Sequence, residues 1–273
     1  MEYSGNIRKM RSSLDESGNV HYRMVLNDNT EPSEEVSMNE WVGKEISIRF
    51  EEQINCVVTG KRIRKAYGEG MSWDAFKESP YAVESIIRPE LSQAHLGIGL
   101  RDLEWEIKNH VTPHITYLSL TSGIKVGVTR KTQVPTRWID QGAVEAIILA
   151  ETPYRQAAGL IEVALKGYMA DKTNWRNMLK NVFTNSEGLV AAKESILDKI
   201  PEELREFIST DDSITNINFP VIAYPEKIKS LKLDKEALIE KRLMGIKGQY
   251  LLFDDDTVIN IRSHSGYKIT LSL

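Results

Sequence analysis

Two stretches at opposite ends of the chain alternate apolar and polar residues with a period of two, and this constrains the fold more than any other feature. Near the start, Val20, Tyr22, Met24 and Leu26 fall on one side, with His21, Arg23 and Val25 between them. Ile46, Ile48 and Phe50 in GKEISIRF repeat the pattern, and the polar NDNTEPSEE between the two runs reads as an exposed loop. Such alternation puts one face of a strand in a core and the other in water. At the far end, IKGQYLLF, then DDD, then TVINIR is a hairpin signal, and YKITLSL supplies a third alternating run. Strands with one apolar face must pair, so the simplest architecture joins the two ends in one antiparallel sheet or barrel. The middle is then inserted as a separate unit. The expected order is an N-terminal β-rich segment (1–60), a helical connector (61–110), a central domain (111–213) and a C-terminal β-rich segment (214–273).

The middle mixes periods. SWDAFKES, YAVESIIRPE and GLRDLEWEIKNH suit short helices, with Pro80 and Pro89 as stops. HITYLSL and IKVGVTR are β-prone around a TSG turn. VPTRWIDQ opens a helix with Pro135 suited to its first turn, and EAIILAETP reads as a third strand. In PYRQAAGLIEVALKGYM, residues Ala157, Leu160, Ile161, Ala164, Leu165 and Tyr168 share an expected apolar face. SEGLVAAKESILDKI and PEELREFIS continue as helix. The order is strand, strand, helix, strand, helix, and the class is α+β.

Composition narrows the function classes. No apolar run approaches the roughly 20 residues that span a bilayer, and MEYSGNIRKM lacks the apolar core of a secretory signal. A lone cysteine, Cys56, excludes an internal disulfide framework and any multi-thiolate zinc site. A cytoplasmic, membrane-free protein is expected. The net charge of −4 gives no general attraction to nucleic acid. Between Val111 and Phe183, however, nine Lys and Arg face five Asp and Glu. A basic middle in an acidic chain is either scatter or the footprint of a module that meets a phosphate.

The order of elements and their residues resemble the GIY-YIG nuclease domain. Ile115-Thr116-Tyr117 stands where that family has its first motif and Lys125-Val126-Gly127 where it has the second. Arg137 before Trp138 matches the family's arginine, Glu162 its metal-binding glutamate, and Asn174 in DKTNW a polar residue beyond that helix. Through SGIKVGVTR, PTRWIDQGA and DKTNWR the whole chain also resembles a bacterial family known as domain of unknown function 2797. The resemblance implies a small antiparallel sheet flanked by helices, a GIY-YIG-like central domain between β-rich ends that pack together. It implies nucleic-acid binding, DNA or RNA, with metal-dependent phosphodiester cleavage as the possible activity. Many relatives carry paired cysteines before the central unit. Here Cys56-Val57-Val58-Thr59 keeps one, and Ala82, Ser85 and Ser92 stand at other thiol positions, so no structural zinc is expected.

In that reading Glu162 holds Mg or Mn, Arg137 grips phosphoryl oxygens, Tyr117 orients or deprotonates water, and Lys125, Arg130 and Asn174 bind substrate. Three departures weigh against turnover. Lys125 replaces the second motif's tyrosine, Ile115 replaces the first motif's glycine, and Gln141 stands where several nucleases have a histidine; an amide cannot take a proton. Each residue also has a structural alternative. Glu162 and Lys166 are four apart and suit an ion pair, Arg137 can pair with Asp140, and Tyr117 in an apolar strand can simply be buried. The cluster Lys61-Arg62-Ile63-Arg64-Lys65 is either a solvated loop or an added nucleic-acid surface. His95, His110 and His114 lack metal-ligand spacing, and Cys56 reads as a buried small residue. A degenerate nucleic-acid or nucleotide binder and a protein-interaction scaffold remain the rival functions.

Overall fold

The N-terminal alternation becomes strand in the computed structural model, which describes residues 1–27, 34–170, 172–184 and 187–273. Strands β1 (Glu2–Ile7), β2 (Arg11–Leu14), β3 (Val20–Asn27), β4 (Glu34–Ser37), β5 (Glu45–Asn55) and β6 (Arg62–Ile63) lead to helix α1 (Trp73–Glu78). Val20, Tyr22, Met24 and Leu26 are all buried along β3, as are Ile46 and Ile48 along β5. The NDNTEPSEE stretch is not all loop: Glu34 and Glu35 pair in β4, while 28–33 lie outside the described residues.

The chain then enters a second unit, Glu78–Ile217. The helices expected over YAVESIIRPE are instead single 3-10 turns at Pro80–Ala82, Glu84–Ile86 and Pro89–Leu91. Two prolines within ten residues leave no room for continuous i to i+4 bonding. Helix α2 (Leu103–His110) follows, capped by the Asp102 side chain accepting from the Trp105 N–H at 2.9 Å. Then come β7 (His114–Leu120), β8 (Ile124–Arg130), α3 (Thr136–Asp140), β9 (Glu145–Thr152), α4 (Arg155–Leu165), α5 (Trp175–Leu179), α6 (Leu189–Glu194) and β10 (Thr215–Asn216). The sheet runs β10-β9-β7-β8 with every pairing antiparallel. Leu118, Val126, Ile147 and Leu149 form one core with Ala157, Ile161 and Leu165 of α4 and with Leu189 and Ala192 of α6. The apolar face of α4 is narrower than its sequence suggested. Leu160 and Tyr168 are exposed, and Ala158 and Gly159 are buried in their place. A Cβ on Gly159 would lie 2.3 Å from the Glu90 N, so the small residue lets the 89–91 turn dock on the helix.

The chain returns to the first unit, Met1–Lys77 with Asn218–Leu273. Strands β11 (Lys229–Ser230), β12 (Leu238–Lys247), β13 (Tyr250–Phe253), β14 (Thr257–Asn260) and β15 (Tyr267–Ser272) complete it. The expected run IKGQYLLF is split: Ile246 and Lys247 end β12, and a turn at Gly248, with φ near +61°, starts β13. One eleven-stranded sheet results, with β12-β5-β15-β1-β3 at its centre. β15 lies between β1 and β5, so the two chain ends share one sheet, as the period-two runs require. Among the described residues, no helix is long and apolar enough to cross a membrane.

Candidate functional site

β7 and β8 pair residue for residue, placing Tyr117 directly opposite Gly127. That glycine is a spatial requirement. A Cβ there would lie 2.7 Å from the Tyr117 oxygen, so any side chain would displace the phenol. The ring is fully buried and packs edge-on against Trp138 at 5.9 Å between centroids. Its hydroxyl donates to Gln141 Oε1 at 2.8 Å and accepts from the Arg137 guanidinium. Helix α3, which begins directly after Pro135, presents Arg137 and Gln141 one turn apart to one hydroxyl.

Electrostatics tie Glu162 to this pair. Burial raises the Tyr117 pKa first; the Arg137 charge and hydrogen bond oppose it, and the Glu162 carboxylate adds to the rise. Tyr117 is therefore a neutral donor at physiological pH, not a base. Arg155, at the start of α4, is a further cation of the group. It donates from Nε to the Ser85 carbonyl at 2.8 Å and from Nη2 to the Ile86 carbonyl at 2.9 Å. Burial brings its pKa down to about 10, against the opposing pull of Glu162; the charges of Arg137 and Arg130 push the same way as burial. Arg130 in turn donates from Nη1 to Asn109 Oδ1.

Arg155 thus lies among the charges of Arg137, Arg130, Glu162 and Glu90; the Glu162 side chain is 12% exposed, with Lys166 Nζ 3.7 Å away. This set does not fit a resident divalent cation. The three arginines and Lys166 outnumber the carboxylates of Glu162 and Glu90, so a further cation is repelled and the surplus favours an anion. Among the described residues, no group of three or more His, Cys, Asp or Glu side chains is placed to hold a metal.

The structure brings together Tyr117, Arg137 and Glu162, which lie far apart along the chain. Lys125 is only 5% exposed in β8, two residues before Gly127 on the same side of the strand. Asn174 is committed to capping: its side chain accepts from the Asn177 N–H at 3.2 Å at the start of α5. The alternative for Glu162 and Lys166 is also realised, though their separation is long for an ion pair. Sequence reasoning missed Arg155, because its carbonyl partners lie some seventy positions upstream and no local pattern marks them. Cys56 is buried, as expected.

The family model described as protein of unknown function, DUF2797, matches residues 43–269. The chain belongs to this family. The matched span takes in both the four-stranded sheet with its arginine cluster and most of the sheet formed by the chain ends. No curated protein and no solved structure matches the chain. Membership therefore supplies a shared architecture, and the chemistry must be read from the residues.

Proposed function

We propose that the 111–213 region is a GIY-YIG-like domain that binds the phosphodiester backbone of nucleic acid and has lost hydrolysis. The observation that carries this is the shared Tyr117 hydroxyl: it donates to Gln141, accepts from Arg137, and sits near a cluster where the guanidinium groups of Arg137, Arg155 and Arg130 outnumber the carboxylates of Glu162 and Glu90. A phosphate offers planar acceptors for guanidinium forks and a charge that the surplus neutralises. Turnover would need a base. Tyr117 is held protonated by burial, and Gln141 accepts no proton.

The test is anisotropy of labelled duplex and branched DNA and RNA with the full-length protein, with Mg²⁺ or Mn²⁺ present. Binding that weakens steeply with salt, falls roughly tenfold in Arg137→Ala, and yields no product is the expected result. Product formed by the wild type and abolished in Glu162→Ala would overturn it in favour of a nuclease.

A further inference from the structure

A second surface, on the other unit, gathers what the Arg137 site lacks: an exposed aromatic ring, Trp73, in contact with two half-buried ones. Residues 61–77 carry five Lys and Arg against two Asp and Glu in a chain whose net charge is −4. Lys61, Arg62, Arg64, Lys65 and Lys77 are all exposed. Both acids are already matched: Glu69 pairs with Arg262, and Asp74 lies 3.4 Å from Lys77 Nζ. Tyr67 and Trp73 rings meet at 5.0 Å, and Trp73 and Phe76 stack at 6.1 Å with planes 24° apart. Trp73 is 51% exposed, an unusual state for an indole with two aromatic neighbours. Lys65 Nζ sits 5.2 Å from the Tyr67 ring centroid and Lys77 Nζ 5.8 Å from that of Trp73.

Hydrogen bonds and one close backbone contact hold the support beneath. Tyr67 and Met71 exchange backbone hydrogen bonds at 2.8 and 2.9 Å. Gly70, at φ +93°, lets the hairpin approach so closely that a Cβ would lie 2.5 Å from the Ser265 carbonyl. The Ser72 N–H donates to Cys56 Sγ at 3.2 Å, and the Ser72 hydroxyl caps α1 by accepting from the Ala75 N–H at 3.2 Å. Burial alone would raise the Cys56 pKa; donors from Thr59, Ser72 and Val58 outweigh it and bring it to about 6, so the sulfur is a strong acceptor at the platform's base.

We infer that the 61–77 hairpin is a stacking platform for single-stranded nucleic acid. Cations interleaved with presented ring faces are what an unpaired, flexible polyanion requires: phosphates meet Lys and Arg while bases stack on Tyr67 and Trp73. A duplex keeps its bases stacked internally and has no free face to offer. A lipid surface is the poorer match, because α1, at six residues, is too short to lie along an interface.

The probes are fluorescein-labelled oligo(dT) and oligo(U) of about twelve nucleotides, within the span such platforms occupy. Full-length wild type binds both, and Trp73→Ala weakens binding by roughly tenfold, the usual cost of one lost stack. Trp73→Phe, which keeps a ring, restores most of the affinity. Arg64→Glu with Lys65→Glu, both at exposed positions, abolishes binding and keeps the inference testable should Trp73→Ala fold poorly. Duplex affinity, which reads the Arg137 site, is unchanged in Trp73→Ala, so the two readings fail separately. Oligonucleotide binding unaffected by Trp73→Ala and by the charge reversal would overturn the inference. So would duplex competing equally for the labelled oligomer, or phosphatidylserine vesicles capturing a protein that ignores both oligomers.

Discussion

The two units handle buried polar groups in different ways. In the unit formed by the chain ends, Asn6 and Cys56 are buried within hydrogen-bond networks. Asn6 Nδ2 donates to Asn55 Oδ1 at 3.0 Å and to the Gly266 carbonyl at 2.7 Å, tying β1 to the end of β5 and the start of β15, and Cys56 sits among N–H donors. In the unit 78–217, ionisable groups are buried with parts of them unmatched. His110 donates or accepts at Nδ1 with Ser92 Oγ at 3.0 Å, and His114 Nδ1 donates to the Thr112 carbonyl at 2.7 Å, yet among the described residues the Nε2 of each has no hydrogen-bond partner. A buried, unmatched polar atom costs stability. Both units hold such atoms, Ser12 Oγ in the first among them, but the buried histidines of the second feel the charges of Arg155 and Arg130.

The pH dependence of stability should separate the units most strongly. Burial first, then Arg155 and Arg130, lowers the His110 pKa from 6.5 to about 4 and the His114 pKa to about 3. Folding therefore prefers the neutral rings, and the unfolded chain binds more protons once pH falls below 6.5. Stability of this unit is lost between pH 6.5 and about 3. In the other unit the decline starts earlier. Cys56 drops from 9.0 to about 6, and burial takes Lys247 from 10.5 to about 7. Both favour the deprotonated form in the fold, so their contribution is full at high pH and lost as pH falls through those windows. His264, lowered by burial, adds an acid loss of the same sign. Urea midpoints followed across pH, with Cys56→Ser and His114→Gln as controls, check the two windows. Coincident curves in wild type and both variants would erase the distinction.

Core truncation comes next in size. Ile161→Ala, under α4, and Ile48→Ala, in the central β5, should each cost about 2–5 kcal/mol, both side chains being fully buried. If the units unfold separately, calorimetry shows each variant lowering a different transition. Gly127→Ala should cost about 1–3 kcal/mol by forcing the Tyr117 ring aside, and should weaken duplex binding as well, since the hydroxyl leaves Arg137 and Gln141. The smallest change is expected for Tyr117→Phe, at about 1 kcal/mol, because the packing against Trp138 survives and only the hydroxyl's bonds go. A thermal shift larger than that of Gly127→Ala would show that the hydroxyl, not the close packing, holds the site.

Much of the frame was legible. Val20 to Leu26 and Ile46 to Phe50 announced strands because a period of two has few other physical meanings. The pairing of β15 with β1 and β5 followed from the need of each run to cover its apolar face. Shorter-range features misled where the neighbours decided. Gly248 broke a continuous apolar run into two strands, and Leu160 was left in water because Gly159 faces the 89–91 turn. At the site, Tyr117, Arg137 and Glu162 were nameable from sequence, but their shared charge balance was not.

What the sequence determined by itself was the alternation that makes both ends strand, the helix and strand order of the middle, and the absence of thiols to hold a zinc. What only the tertiary structure decided was which charges share a volume. Arg155 joins Arg137 and Glu162 through carbonyls of residues 85 and 86, and Trp73 meets Tyr67 across a hairpin. Local patterns report each residue's preference for water or core, whereas charge balance and ring stacking depend on distances that the folded chain alone sets.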